Sequence, residues 1–254
     1  MKNTNVYLKK TANSLIFILA LTLAWWIIAL IVNDARAVPT PIVVGEDMLK
    51  IFYEKSFYVA YFSTLLRSFI GFTCSFIVGF VLAVISAKNT AIRGALSPFV
   101  SFIRLVPTMA IASLFWLAFL PSVASVLVCF TIVMPYVYSS SSSLLSTVSN
   151  DVLEMAKVYE IPHKKVISKI YIPSLKNGFI NLLGTTFSFA LKITVSSEVI
   201  MGAMKSLGGI IQQAQNVYFS PSLVMAVALW TVITGLVVEI FLSRACKERS
   251  RKCK

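Results

Sequence analysis

Hydrophobic positions along this chain come in long unbroken blocks, and charged residues mark the gaps between them. Uncharged stretches run from Thr11 to Asn33, Ser68 to Ala87, Leu105 to Asn150 and Ser206 to Val238, and a further apolar stretch, Gly178 to Ile200, carries only Lys192 and Glu198. A hydrocarbon core about 30 Å thick needs about 20 apolar residues per helix. The third stretch is long enough for two helices, with Pro121-Ser122 as the turn between them. The pattern therefore predicts six spans, at roughly 12–33, 68–87, 105–120, 123–145, 178–200 and 222–243. The expected fold class is all-α, a polytopic integral membrane protein.

Composition agrees: 57% of residues are hydrophobic and 13% charged, against about 45–50% and 25% in soluble domains. A net charge of +13 would point to nucleic acid in a hydrophilic protein. Here the basic residues sit in short clusters between apolar stretches, which is membrane topology, so no nucleic-acid partner is expected. With the N-terminus inside, the cytoplasmic side collects Lys2, Lys9, Lys10, Lys88, Arg93, Arg104, five lysines from Lys157 to Lys176 and six basic residues from Arg244 to Lys254. The outer side holds only Arg36, Lys50, Lys55, Arg67 and Lys205, beside Asp34, Glu46, Asp47 and Glu54. This bias predicts both termini in the cytoplasm. Lys9-Lys10, an apolar run and Ala35-Arg36-Ala37 imitate a secretory signal, but the run exceeds 20 residues where a signal core has about 7–15; a retained first helix is expected. The division that follows is an N-terminal helix and outer segment at 1–60, a membrane core at 61–245 with a cytoplasmic loop at 151–173, and a basic cytoplasmic tail at 246–254.

Catalytic and metal chemistry find little support. Cys74, Cys129, Cys246 and Cys253 form no CxxC pair, and His163 is the one histidine, so neither a metal site nor a disulfide framework is indicated. No GxxxxGK[ST], HExxH or GxSxG occurs. No catalytic residue and no cofactor is expected, and energy for any pumping must come from a partner.

The longest cytoplasmic loop, Ser146 to Asn177, is the most informative segment. Asn150 or Asp151 can cap a helix with Leu153, Ala156, Val158 and Tyr159 near one face. Pro162 marks a break, and Val166, Ile167 and Ile170 begin a second amphipathic piece stopping near Pro173. Two short helices at an angle suit docking to another protein; the alternative is a loop lying on lipid headgroups.

The loop resembles the EAA motif of ATP-binding-cassette (ABC) importer permeases: E-A-A, three residues, G, nine residues, I-x-L-P. Glu154, Ala156, Ile170 and Pro173 fall on the pattern, with Ile172 for its Leu. Met155 replaces the first Ala, and Glu160 replaces the Gly that permits the turn between the two helices; Pro162 offers another source for the break. Across roughly 38–245 the chain is similar to the nitrate, sulfonate and taurine permeases, through Val38-Pro39-Thr40-Pro41, Arg104-Leu-Val-Pro107-Thr-Met-Ala110-Ile, Ser197-Glu198 and Ser206-Leu207-Gly208. The resemblance implies a type I, MetI-like permease fold in a bacterial inner membrane. It also implies coupling through Glu154, Ala156, Glu160, Ile170 and Pro173 to cytoplasmic ABC ATPase subunits, a second permease subunit as a homodimer, and an extracytoplasmic substrate-binding protein. The implied substrate is a small anion or a vitamin precursor, and Glu198 is implied to support the outer gate. Glu154, near the start of its short helix, suits the positive dipole end.

Inside the membrane, Gly71, Ser75, Gly79, Ala83 and Ala87 recur every fourth residue, a spacing for close helix packing or for a path lining. Lys192 with Ser188 and Ser196 forms a polar stripe. A charge there costs about 2.5–3.5 kcal/mol, so it faces either a translocation path or a carboxylate on another helix; Glu198, six residues on, is on the wrong face. Glu239 near Arg244 and Lys247 is read as snorkelling to the interface. Serines from Ser139 to Ser143 either bond back to helical carbonyls or meet water. The competing function is a secondary transporter or channel with Lys192 and Glu198 carrying an ion, which would call for inverted repeats that the sequence does not display.

Overall fold

The computed structural model describes residues 2–34 and 36–251; Ala35 of the signal-like triplet, and Lys252, Cys253 and Lys254 of the basic tail, lie outside the described residues. Among the described residues the secondary structure is helical throughout: α1 (Lys2–Val32), α2 (Pro41–Phe52), α3 (Lys55–Lys88), α4 (Thr90–Leu105), α5 (Thr108–Ala118), α6 (Pro121–Leu145), α7 (Asn150–Val158), α8 (His163–Val166), a π-helical turn (Ile167–Tyr171), α9 (Ile172–Met201), α10 (Leu207–Asn216) and α11 (Pro221–Arg251).

Proline, glycine and short polar residues set the boundaries. Proline takes the first helical position of α2 and α6, where its missing N–H costs nothing. Asn89 caps α4, its side chain accepting from the N–H groups of Ala91 and Ile92 at 3.0 and 3.3 Å. Ser206 does the same for α10 through the Gly209 N–H at 2.9 Å. Gly202 ends α9 with φ 61°, the left-handed conformation that glycine adopts without a Cβ penalty.

Among the described residues four helices are long and apolar enough to cross a membrane, α3, α6, Lys164–Met201 and Pro221–Leu242, and five if the bent α4–α5 pair is counted as one broken span. The expected span at 105–120 is corrected here. Val106 is extended because Pro107 follows it, so the chain breaks and the two helices meet at 89°. At 1.5 Å per residue the 11 residues of α5 reach only about 16 Å, too short to cross alone. The apolar part of α1, Ile16–Val32, is shorter than these spans. Sequence periodicity also left α2, α4 and α10 unassigned, since each is a short helix between longer apolar blocks.

The packing inverts the soluble pattern. On α3 the buried seam is Thr64, Ser68, Gly71, Ser75, Gly79, Ala83 and Ser86, while Phe62, Leu66, Phe69 and Ile77 are exposed. Apart from Phe57 and Phe76, which are buried, most large apolar side chains of α3 face outward, where lipid is as apolar as leucine, and small residues let helices approach. Ala87, expected to continue the every-fourth-residue stripe, is exposed. A four-residue step overshoots a 3.6-residue turn by 40° each time, so the seam resets to Ser86. The stripe packs against α6: a Cβ on Gly71 would come within 2.8 Å of Cys129 Cβ and one on Gly79 within 2.8 Å of the Met134 carbonyl oxygen.

One core cluster lies between α3, α5, α6 and α9, around Phe76, Val128, Val133 and Ile193. A second joins α2, α3, α9, α10 and α11 around Val44, Phe57, Leu191, Leu207 and Ala226. Asp47 of α2 accepts a hydrogen bond from Ser222 Oγ of α11 at 2.5 Å, and Trp230 stacks on Phe52 with ring centroids 5.5 Å apart. The core of α9 touches both clusters.

Candidate functional site

Three polar features stand out against this apolar background, and α9 or its continuation carries part of each. The first is a buried ion pair. Glu198, in the last turn of α9, has 0% exposure, and its Oε1 accepts from Arg67 Nη1 at 2.9 Å. Its Oε2 accepts from Thr64 Oγ1 at 2.8 Å and from the Gly208 N–H at 3.3 Å. Thr64 Oγ1 in turn accepts from the Leu207 N–H at 2.9 Å. One carboxylate thus clasps α3, α9 and the start of α10. Gly208 fits only because it lacks a side chain: a Cβ there would overlap Glu198 Cβ and lie 2.6 Å from the Val199 nitrogen.

Arg67 and Thr64 were not singled out from the sequence. An acid within a span calls for a partner, which was the available signal, but the partner lies 131 positions away and only the fold brings them together.

The second feature is a half-open cavity of about 490 Å³ at the break between α4 and α5, closed on its other sides by α6 and α9. Arg104, Lys192, Ser196, Tyr136 and Thr108 supply its polar lining. Ser188, expected in one stripe with Lys192 and Ser196, is instead turned to α11, donating to the Gly235 carbonyl at 3.0 Å. The reason is again the helical repeat: two four-residue steps turn the stripe by about 80°. Arg104 was counted as a cytoplasmic marker, yet it lines the same cavity as Lys192. Its Nη1 donates to Ser139 Oγ at 3.2 Å, and Ser139 donates back to the Pro135 carbonyl at 3.0 Å, the back-bonding alternative for that serine. A smaller, apolar cavity of about 420 Å³ lies next to it, lined by Ile111, Phe115 and Thr131 among others.

The third feature is the segment from Ser149 to Pro173. Ser149 occupies the N-cap position of α7 without a side-chain cap bond, a place expected for Asn150 or Asp151. Asp151 is the acid in the first turn; Glu154 lies one turn further in, beyond the reach of the helix-end charge. Ala156 is buried, while Glu154, Met155, Val158 and Tyr159 are exposed. The break falls at Glu160 itself, with φ 50°. Its N–H bonds the Lys157 carbonyl at 3.0 Å, and the Ile161 N–H bonds the Ala156 carbonyl at 2.9 Å. This is a Schellman closure with glutamate where glycine is usual; Pro162 follows the turn rather than making it.

The second piece does not stop at Pro173. It runs on through the π-helical turn into α9, so Lys164–Met201 is one helix of 38 residues. The Ile172 N–H reaches five residues back to the Ile167 carbonyl, and this widened turn admits the proline ring without ending the helix. Ile170 is half-buried and Pro173 exposed. The site residues expected from the sequence therefore fall into three groups along one polypeptide path: Glu154, Ala156, Glu160, Ile170 and Pro173 at one end, Lys192 and Ser196 on the exposed side of α9, and Glu198 at the far end.

Glu239 is half-buried and packs where Gly184 leaves room on α9. Of the cysteines, Cys74 is exposed and Cys129 buried. No cluster of three metal-ligating side chains occurs among the described residues.

Residues 75–245, well over half of the chain, match the family of binding-protein-dependent transport system inner membrane components. Among solved structures, the fold is similar to an amino acid ABC transporter crystallised with histidines, at TM-score 0.67 and 18% identity over 78% of this chain and 96% of that one. It is similar to the MetNI methionine ABC transporter in an inward-facing conformation, at TM-score 0.63 and 15% identity over 74% and 94%. It is also similar to a bacterial ABC transporter that imports the acidic polysaccharide alginate, at TM-score 0.65 and 13% identity over 96% and 99%. At such identities the likeness speaks for the fold alone. No curated protein matches the sequence.

Proposed function

The chain belongs to the family of binding-protein-dependent transport system inner membrane components, and from that premise we propose that it is the permease subunit of an ATP-driven importer, lining a substrate path by alternating access. It is a multi-pass membrane protein. We assign it six crossings: α1, α3, the broken α4–α5 pair, α6, α9 and α11. Both termini lie in the cytoplasm on this reading, which follows from the basic residues gathered at Lys157 to Lys176 and in the C-terminal tail. The core is residues 61–245, preceded by the first helix and outer segment and followed by the basic tail.

The observation that carries the proposal is the continuity of Lys164–Met201. The EAA-like segment leaves Val158 and Tyr159 largely exposed and Val152 and Met155 partly so. That surface suits seating on a separate ATPase, and the helix leading from it passes Lys192 and ends at Glu198. A displacement imposed on the segment is delivered along a rigid rod about 57 Å long at 1.5 Å per residue, because differential contacts in two states are what bias a conformational equilibrium. The partners in this reading are two ATPase subunits, a second copy of the permease and an external binding protein. Glu198 and its clasp brace the outer end of the path, and Lys192 and Ser196 line it. Placement among the nitrate, sulfonate and taurine permeases rests on the four sequence motifs alone.

The test is Glu154→Lys in cells carrying the whole transport system. Insertion and complex recovery should be unchanged while uptake falls at least tenfold. Uptake at the unaltered rate would remove the coupling role.

A further inference from the structure

The cavity at the α4–α5 break gathers two cationic side chains and no anionic one. Arg104 and Lys192 both line it, and none of its other lining residues is acidic. Arg104, Lys192 and Ser196 are all exposed, so the cavity is open to its surroundings and two like charges on its wall attract an anion. The chain has little to offer: within the spans the acids are Glu198 and Glu239. Glu198 is held by Arg67, Thr64 and Gly208. Glu239 packs against Gly184, which is not part of the cavity wall. A second copy would bring the same two carboxylates, held in the same way. An anion that pairs with the two cations would therefore enter from outside the chain.

What surrounds the two cations is suited to oxygen atoms bearing negative charge. Ser139 occupies one position on the Arg104 guanidinium, leaving several of its five N–H donors for a planar, forked contact. Lys192 adds a point charge and Ser196 and Tyr136 add hydroxyls. Thr108 and Met109 also line the cavity; as the first two residues of α5 their N–H groups have no acceptor earlier in that helix. The volume of about 490 Å³ is of the size that takes a small molecule.

We propose that this cavity binds an oxyanion group, such as a sulfonate, carboxylate or phosphate, between Arg104 and Lys192, so that the membrane subunit itself selects by charge. The step from binding to transport rests on the permease reading above; the binding itself does not. The same chemistry is offered by a small solute and by the headgroup of an anionic lipid, and the experiment distinguishes them.

The full chain bearing Ser196→Cys is placed in phosphatidylcholine nanodiscs and exposed to the anionic sulfonatoethyl and the cationic trimethylammonioethyl methanethiosulfonates. Modification at position 196 is read by peptide mass, so Cys74 and Cys129 do not interfere. Relative to a free thiol, the anionic reagent should be preferred about tenfold, the size expected from two unit charges at close range. Arg104→Gln and Lys192→Gln, each made separately in that background, should cut the preference about threefold. Ten millimolar methanesulfonate should slow modification at least twofold, which assigns the site to a solute. Slowing by phosphatidylglycerol in the discs, with methanesulfonate inert, assigns it to a lipid headgroup. Equal reaction with both reagents, or a preference that neither glutamine variant reduces, overturns the proposal. No ATPase is present in this assay, so its failure leaves the Glu154 result standing, and the reverse also holds.

Discussion

The clasp at Glu198 predicts a large and specific loss of stability. Glu198→Gln keeps the shape of the side chain and an oxygen able to accept from Thr64, and removes only the negative charge. At the observed 2.9 Å and an effective dielectric of about 20, two unit charges attract by about 6 kcal/mol, part of which offsets the desolvation of both groups. Breaking such a pair from one side leaves an uncompensated charge, here an Arg67 side chain only 16% exposed, and costs about 3–5 kcal/mol. Arg67→Met paired with Glu198→Gln removes both charges and should recover at least 2 kcal/mol of that loss, a coupling well above the few tenths expected of independent sites. The measurement is the folded fraction during titration of dodecyl maltoside micelles with sodium dodecyl sulfate, followed by tryptophan fluorescence. A single-variant loss under 1 kcal/mol, or losses that simply add in the double variant, would refute the reasoning.

Three further outcomes are expected. Glu160→Gly should stabilise the α7 turn by about 1 kcal/mol, because φ 50° is strained for a residue with a Cβ; slower amide exchange at Ile161 would report it, and faster exchange would argue against a purely conformational role. Gly79→Ala puts a Cβ 2.8 Å from the Met134 carbonyl oxygen and should destabilise by about 1–3 kcal/mol in the same titration, while Gly94→Ala, with nothing within 4 Å, should gain a few tenths up to about 1 kcal/mol. Lys192→Leu should insert at least as well as the parent, since it removes an intramembrane charge, yet lower uptake by an order of magnitude in the complete system; unchanged uptake kinetics would return Lys192 to packing.

The long apolar blocks made most of the bundle legible, because a span announces itself through the absence of charge over about 20 residues. What stayed hidden has identifiable causes. The third block contains no charge between Leu105 and Asn150, so hydropathy could not register the turn at Val106, although Pro107 was there to cause it. Lys192 and Ser196 were recognisable as polar positions in an apolar helix, whereas Arg104 was disguised by its place at the edge of an uncharged block, where a basic residue reads as a topology marker. Glu198 was visible and its partner was not, since pairing across α3 and α9 is a property of topology. At Glu160 the motif itself held the clue: a position where relatives of the pattern keep glycine is one whose backbone needs positive φ, and the glutamate obeys that demand at a cost.

These features together say which parts can move on the proposed reading. α3, α9 and α10 are joined by a charge pair whose carboxylate has no exposed surface, so parting them means stranding a buried charge; on this reading they move as one body. α9 continues as one helix back to Lys164, joined to α7 by the closed turn at Glu160, so on this reading that body is also the driven one. The α4–α5 pair is different in kind. It is interrupted at Val106-Pro107, where the backbone leaves the helix and its bonds can rearrange without unwinding a turn. Arg104 sits beside that interruption and Lys192 on the driven helix, so a relative displacement of the two walls changes the separation of the two cations. An anion that bridges them in one state loses half of its coordination in the other, and a site with that property can take up its cargo on one side and give it up on the other.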